Sequence, residues 1–262
     1  MARRYSEGHE ERRSLLRDGE GPEASGHLYG IESTYVRHGF IRKVYGILAI
    51  QLAATTIIGG LVMTHAKHLA RENPSLCMFL LVSSSIASLS MLFVFMCCPD
   101  TMRKTPQNYV LLTVFTLAMA VSVGFFSSQF TSASVLMVFG ITCAVVLALT
   151  LFACQTKYDI TGLMPYFVVA SMVFMCFGLV LWITSMFGGA ASAAFKGMRL
   201  VYACLGALLV SGFIVMDTQL IVGGKHHKYQ FSIDDYCMAA ISLYIDIIQL
   251  FQFLLEILGD RN

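Results

Sequence analysis

The chain of 262 residues is 56 % hydrophobic and only 13 % charged, with a net charge of +2. A soluble domain runs near 45–50 % apolar and about 25 % charged. Seven acidic and six basic side chains crowd into the first 37 residues, so the remaining 225 hold nine acids and twelve bases. That is too little polar surface for a water-soluble domain. Composition thus excludes a soluble enzyme, a nucleic-acid binder and a disulfide-stapled secreted module, and the small net charge points to no polyanionic partner.

The first 37 residues mix both charge signs with Gly and Ser and read as a disordered cytoplasmic tail. Residues 1–43 hold no apolar core, so no signal peptide is expected and the first helix acts as its own insertion signal. A membrane helix needs about 20 mostly apolar residues. The window 44–66, between Lys43 and Lys67, is free of formal charge, as is 73–99, between Glu72 and Asp100. Residues 105–156 are uncharged over 52 positions, too long for one span and right for two, with the polar run 127–134 (SSQFTSAS) as the turn. Window 160–195 is one span followed by the small-residue stretch 188–194. Windows 200–222 and 236–258 are spans interrupted by Asp217 and by Asp246 and Glu256. The expectation is an all-α polytopic bundle with seven transmembrane helices at 44–64, 76–97, 108–127, 133–153, 163–186, 200–222 and 236–257, forming one membrane domain over 38–262. Strict period-2 alternation, the mark of a membrane β-barrel, is absent.

Orientation follows from Lys and Arg. With the N-terminus inside, 13 of them fall on the cytoplasmic side and 5 on the other. The two acids of the seventh segment leave open a re-entrant arrangement with both chain ends in the cytosol. Trp182, near the end of the fifth span, fits an aromatic belt. Eight cysteines sit in or beside spans without a C-x-x-C and read as small apolar residues. Cys97 and Cys98, at a cytoplasmic helix end, are placed to suit palmitoylation. In the 6–7 loop His226 and His227 are adjacent, so both cannot easily ligate one ion. Ser232 followed by Asp235 reads as an N-cap opening the seventh helix.

An ionisable residue inside a span is costly and marks a functional hypothesis by default. At 100° per residue, Asp235, Ser242, Asp246, Gln249 and Glu256 share an arc of about 80° on the seventh helix. Such a stripe reads as the wall of a water-accessible path, with Asp234 and Asp235 at its entrance and Ser242, Gln249 and Glu256 along it. The alternative is a helix–helix hydrogen-bond seam. Asp217 lies about 8 Å, and Asp246 about 15 Å, from the same end of their antiparallel helices, a mismatch that helix tilt can absorb. Two carboxylates held together away from water cannot both ionise easily and titrate as a unit, so the pair can switch near neutral pH. Ionised, it offers oxygen ligands for a hard cation such as Ca²⁺, too few for storage and suited to passage.

Three stretches carry a resemblance: Phe40–Leu52 (FIRKVYGILAIQL), Tyr202–Gly224 (YACLGALLVSGFIVMDTQLIVGG) and Asp234–Gly259 (DDYCMAAISLYIDIIQLFQFLLEILG). They resemble the transmembrane Bax inhibitor motif family, closest to its Lifeguard and Golgi anti-apoptotic branches. The resemblance implies a seven-helix fold with the seventh helix near the centre. It implies residence in the endoplasmic reticulum or Golgi, a passive Ca²⁺ leak that lowers store content, and protection against stress-induced cell death. Asp217 in MDTQ and Asp246 in LYIDII match that family's acidic pair, its pH-sensitive gate. Bacterial relatives add a basic residue in helix two. Here no Lys or Arg lies between Arg71 and Arg103, so that element is absent or replaced by Arg42 or Lys43, and is not carried over.

Other classes are weaker. An intramembrane aspartyl protease would carry Tyr-Asp, Gly-x-Gly-Asp and a later Pro-Ala-Leu, against Met216-Asp217 and Ile245-Asp246 here. A retinal protein needs a lysine in its last helix. A pump needs an energy source, and Gly224-Lys225 lacks the rest of a phosphate loop. The expected protein is therefore not an enzyme and has no cofactor. Its expected partners are Ca²⁺ as permeant ion, the lipid bilayer and death-regulatory membrane proteins, with self-association left open. A proton-coupled cation exchanger and a non-conducting scaffold for cell-death regulators are the competing functions.

Overall fold

The computed structural model describes residues 22–156, 158–187, 192–223 and 229–261. Lys157, His226, His227 and the first 21 residues of the expected tail lie outside them, so the readings that rest on those positions do too. The chain divides into two compact units, 1–42 and 43–262. Helix α1 runs Pro22–Glu72, so the backbone is already helical across residues 22–37 of the expected tail. The helical bundle belongs to the second unit.

Six more helices complete it: α2 Pro74–Cys97, α3 Gln107–Ser127, α4 Ser132–Gln155, α5 Met164–Met186, α6 Ala193–Val222 and α7 Tyr236–Leu258. All seven are long and apolar enough to cross a membrane. Among the described residues there is no regular strand; a single bridge pairs Phe130 with Arg261. Helix ends follow local chemistry. Pro74 lacks an N–H and disfavours helical backbone at Asn73, which ends α1 and opens α2. The Thr131 hydroxyl accepts from Ser134 N and caps α4; Ser192 does the same for α6 through Phe195 N. Gly223 follows α6 with φ 61, a left-handed backbone that glycine takes without steric cost. The expected Ser232 cap of α7 is not formed. A one-turn 3₁₀ segment, Ile233–Asp235, intervenes and the Ser232 side chain makes no capping bond, while Asp235 engages Arg103 instead.

The bundle is graded by burial. The window of α7 is 56 % buried, against 6 % for α5. Helix α7 packs on α3, α4 and α6 and reaches α1 through Tyr244 and Thr55. It is the central element, and α5 is peripheral, touching mainly α6. Helix α7 is uninterrupted over 23 residues, about 34 Å at the helical rise, so it is not broken as a re-entrant segment would be. Helices α1 and α3 meet through small residues: a Cβ on Gly124 would lie 2.7 Å from Gly59 O and 2.6 Å from Val62 Cβ. Small residues let helix backbones approach in a medium where apolar burial gives no selective drive.

Candidate functional site

Among the described contacts, helices α6 and α7 share the most extensive one. Asp217 stands five residues before the end of α6 and Asp246 ten residues into α7. Asp217 is buried, with 7 % of its surface exposed. It lies near enough to Asp246 of α7 for the two carboxylates to interact electrostatically. The Asp246 Oδ2 is shut from solvent and has no hydrogen-bond partner among the described residues. A buried carboxylate oxygen without a partner is expensive. Helices α3 and α4, which also flank α7, contain no Asp, Glu, Lys, Arg or His at all. Nothing basic therefore faces the pair from those helices. Lys43, raised above as a replacement for the helix-two base, places its Nζ over the Tyr236 ring at 3.3 Å.

The remaining stripe residues are found in different settings. Ser242 is half-buried and Gln249 exposed. Glu256 accepts a hydrogen bond from Arg199 Nη2 at 2.6 Å and is held by Arg261 Nη2 at 2.9 Å, with 18 % of its side chain exposed. Asp234 is exposed. Asp235 is gripped by the Arg103 guanidinium, Nε donating to Oδ1 at 2.7 Å and Nη2 to Oδ2 at 3.2 Å. That hydrogen bond, with the charge of Asp235 behind it, raises the already high pKa of Arg103. Cys97 and Cys98 are both exposed. Among the described residues no group of three or more His, Cys, Asp or Glu could hold a metal ion. The Asp217–Asp246 pair is thus two carboxylates without a third such group beside them among the described residues.

A second polar layer lies on the other side of α7. Tyr244, fully buried, shares a 2.8 Å hydrogen bond with Thr55 of α1. One turn away, Gln51 Nε2 donates to Thr116 of α3 at 3.0 Å, while Gln51 Oε1 is buried without a partner among the described residues. Sequence reasoning passed over these residues because neutral side chains leave a charge-free window intact. The i, i+4 spacing of Gln51 and Thr55 was the available signal. Gln219 was missed for the same reason. It is fully buried on α6; its Oε1 accepts from Ile160 N at 2.9 Å and its Nε2 donates to Tyr158 O at 2.8 Å. It ties the α4–α5 connection to the helix that carries Asp217.

These features define a polytopic α-helical membrane protein with an acidic pair at the contact between its central helix and a neighbour. The family described as "Inhibitor of apoptosis-promoting Bax1" matches residues 37–262, and the chain belongs to it. Over 229 residues it is 34 % identical to Protein lifeguard 3 of Homo sapiens, covering 87 % of this chain and 70 % of that protein. The Mus musculus Protein lifeguard 3 is 33 % identical over 227 residues, 87 % of this chain and 71 % of that one. Protein LIFEGUARD 4 of Arabidopsis thaliana is 36 % identical over 247 residues and 91 % of each chain. The protein is an integral membrane protein of the Bax inhibitor and Lifeguard family.

Proposed function

We propose that the protein is a passive, pH-sensitive Ca²⁺ leak of an intracellular membrane, endoplasmic reticulum or Golgi. Its N-terminus lies in the cytoplasm, and lowering of store calcium is its contribution to suppressing cell death. It acts without enzymatic turnover or a bound cofactor. The observation that carries this reading is the buried Oδ2 of Asp246, without a partner among the described residues and within electrostatic reach of Asp217 on α6. A proton shared by the two carboxylates would join the helices and close the route. Deprotonation or entry of a hard cation would separate them. Of the helices packed on α7, α6 brings Asp217 within electrostatic reach of Asp246, α3 and α4 bring no charged residue, and α1 brings Lys43, which lies over Tyr236, ten positions before Asp246. The sign follows: fewer shared protons mean a weaker closure, so the leak rises from pH 6 to pH 8.

The test is Ca²⁺ entry into proteoliposomes of purified protein across that range, beside Asp246→Asn. Wild type should pass Ca²⁺ faster at pH 8 than at pH 6. The variant, which cannot ionise, should lose the pH response. A wild type no leakier than empty vesicles at every pH overturns the channel and turns attention to a scaffold for cell-death regulators. Ca²⁺ movement only against an imposed proton gradient would mark an exchanger.

A further inference from the structure

A crevice of about 400 Å³ lies where α5, α6 and the last turns of α7 meet, its head formed by Arg199 of α6 and Glu256 of α7 and its walls by Trp182 of α5, Tyr202 of α6 and Phe253 of α7. Neither Asp217 nor Asp246 lines it. A second groove of about 730 Å³, lined by apolar residues only, continues between α5 and α6, past Phe174 and Val201 as far as Leu208 and Leu209. The two are joined by an aromatic cluster. Phe174 stacks on Tyr202 with centroids 4.1 Å apart, and Phe253 meets Phe174 edge-on at 5.7 Å.

We propose that this combined groove is a binding site for one acidic lipid of the surrounding bilayer, its anionic head on Arg199 and an acyl chain in the α5–α6 groove. Three observations carry it. First, the charge at the head is complementary. One carboxylate, Glu256, is shared by two guanidinium groups, Arg199 and Arg261. Arg199 has five N–H donors and spends only Nη2 on Glu256 among the described residues. A third of its side chain is exposed. Its free edge suits a phosphate or carboxylate oxygen. Second, the groove has the length of one leaflet. From Arg199 to Leu209 is ten residues of α6, about 15 Å at the helical rise, half of a hydrocarbon core of about 30 Å. Third, the walls are continuous stripes on antiparallel helices. Positions 170, 174, 177, 181 and 185 of α5 share one face, as do 201, 205, 208 and 209 of α6. Val173, Trp182, Leu205 and Leu208 are all exposed on the outside of the bundle, so the groove opens sideways to lipid. The proposal does not depend on ion flux.

Trp182 lines the crevice and is the only tryptophan of the chain, so its fluorescence reports occupancy. The protein is reconstituted in vesicles that contain increasing fractions of brominated phosphatidylglycerol or, in parallel, brominated phosphatidylcholine. Half-maximal quenching should come at about fivefold lower mole fraction with the acidic lipid, the gain of one basic side chain at an anionic head. Arg199→Gln should erase that preference while zwitterionic quenching persists, which also shows the variant inserted. Ala170→Phe, which fills the deep end and leaves the ion pair alone, should weaken acidic quenching with Arg199 intact. Equal quenching by both lipids in wild type overturns the proposal, because the crevice then takes any lipid. A preference that survives Arg199→Gln overturns it as well, because the acidic head then sits elsewhere.

Discussion

Gln219 shows how a neutral residue can tie a helix to the connection beside it. Fully buried, it satisfies one backbone N–H, at Ile160, and one carbonyl, at Tyr158, two residues after Asp217 on the same helix. Leaving such buried groups unpaired costs on the order of 1–3 kcal/mol. Gln219→Met keeps most of the volume and removes both bonds, so it isolates that cost; Gln219→Ala adds a cavity. Both variants should unfold at lower temperature than wild type in detergent, Ala more than Met. Limited proteolysis should open the chain around Tyr158–Thr161 first. A Met variant as stable as wild type would mean that water replaces the amide without loss. The sequence marked Asp217 and Asp246 because a charge in an apolar window is conspicuous and costly. It gave no such mark to Gln219, Gln51 or Tyr244, whose value depends on which backbone or side chain arrives opposite, and that is decided by tertiary packing.

At the scale of helices, the α1–α3 contact separates three glycines that look alike in sequence. A Cβ on Gly124 meets Val62 Cβ at 2.6 Å and Gly59 O at 2.7 Å; one on Gly59 meets Ala120 O at 3.3 Å; one on Gly60 meets nothing within 4 Å. Overpacking a tight contact costs about 1–3 kcal/mol, and backbone atoms cannot swing aside. Gly124→Ala should therefore destabilise most, Gly59→Ala less, and Gly60→Ala should be neutral or gain from its better helix propensity. Thermal unfolding of the three variants in one detergent checks the order; a Gly60 variant as damaged as Gly124 would contradict the contact. Helix number and order were legible from apolar windows, five of the spans free of formal charge and two interrupted by Asp or Glu, but helix length was not. The sixth span, read from residue 200, begins at Ala193, because Ser192 caps it and the helix carries Lys196 and Arg199 in its first turns. The first span, read to residue 64, continues to Glu72 and stops only where Pro74 forces it. An apolar window marks what lipid must cover. Backbone hydrogen bonding continues past it, since long basic side chains at a helix end reach the interface.

Across the whole second unit, α7 is the axis and it is pinned at both ends by charge. At one end Asp235 is clasped by Arg103 from the α2–α3 connection. At the other, Glu256 in the last turn is held by Arg199 of α6 and by Arg261 beyond the helix. Arg261 also bridges to Phe130 in the α3–α4 turn, next to the Thr131 N to Asp260 O hydrogen bond. Between the pins lie Asp246 on the α6 side and Tyr244 on the α1 side. Any widening of the α6–α7 contact at Asp217 must therefore bend these helices between fixed ends or release the Glu256 clasp. Glu256→Gln tests which. The amide keeps one acceptor but removes the charge that holds two guanidinium groups together, so they repel. For a partly buried cluster the expected loss lies between exposed and buried ion pairs, roughly 1–3 kcal/mol. Hydrogen exchange should speed up in the first two turns of α6 and the last turn of α7, and stay unchanged near Asp235, where the other clasp is intact. Exchange that quickens equally along the whole of α7 would show that the helix moves as one rigid rod, and that its two ends are not independent anchors.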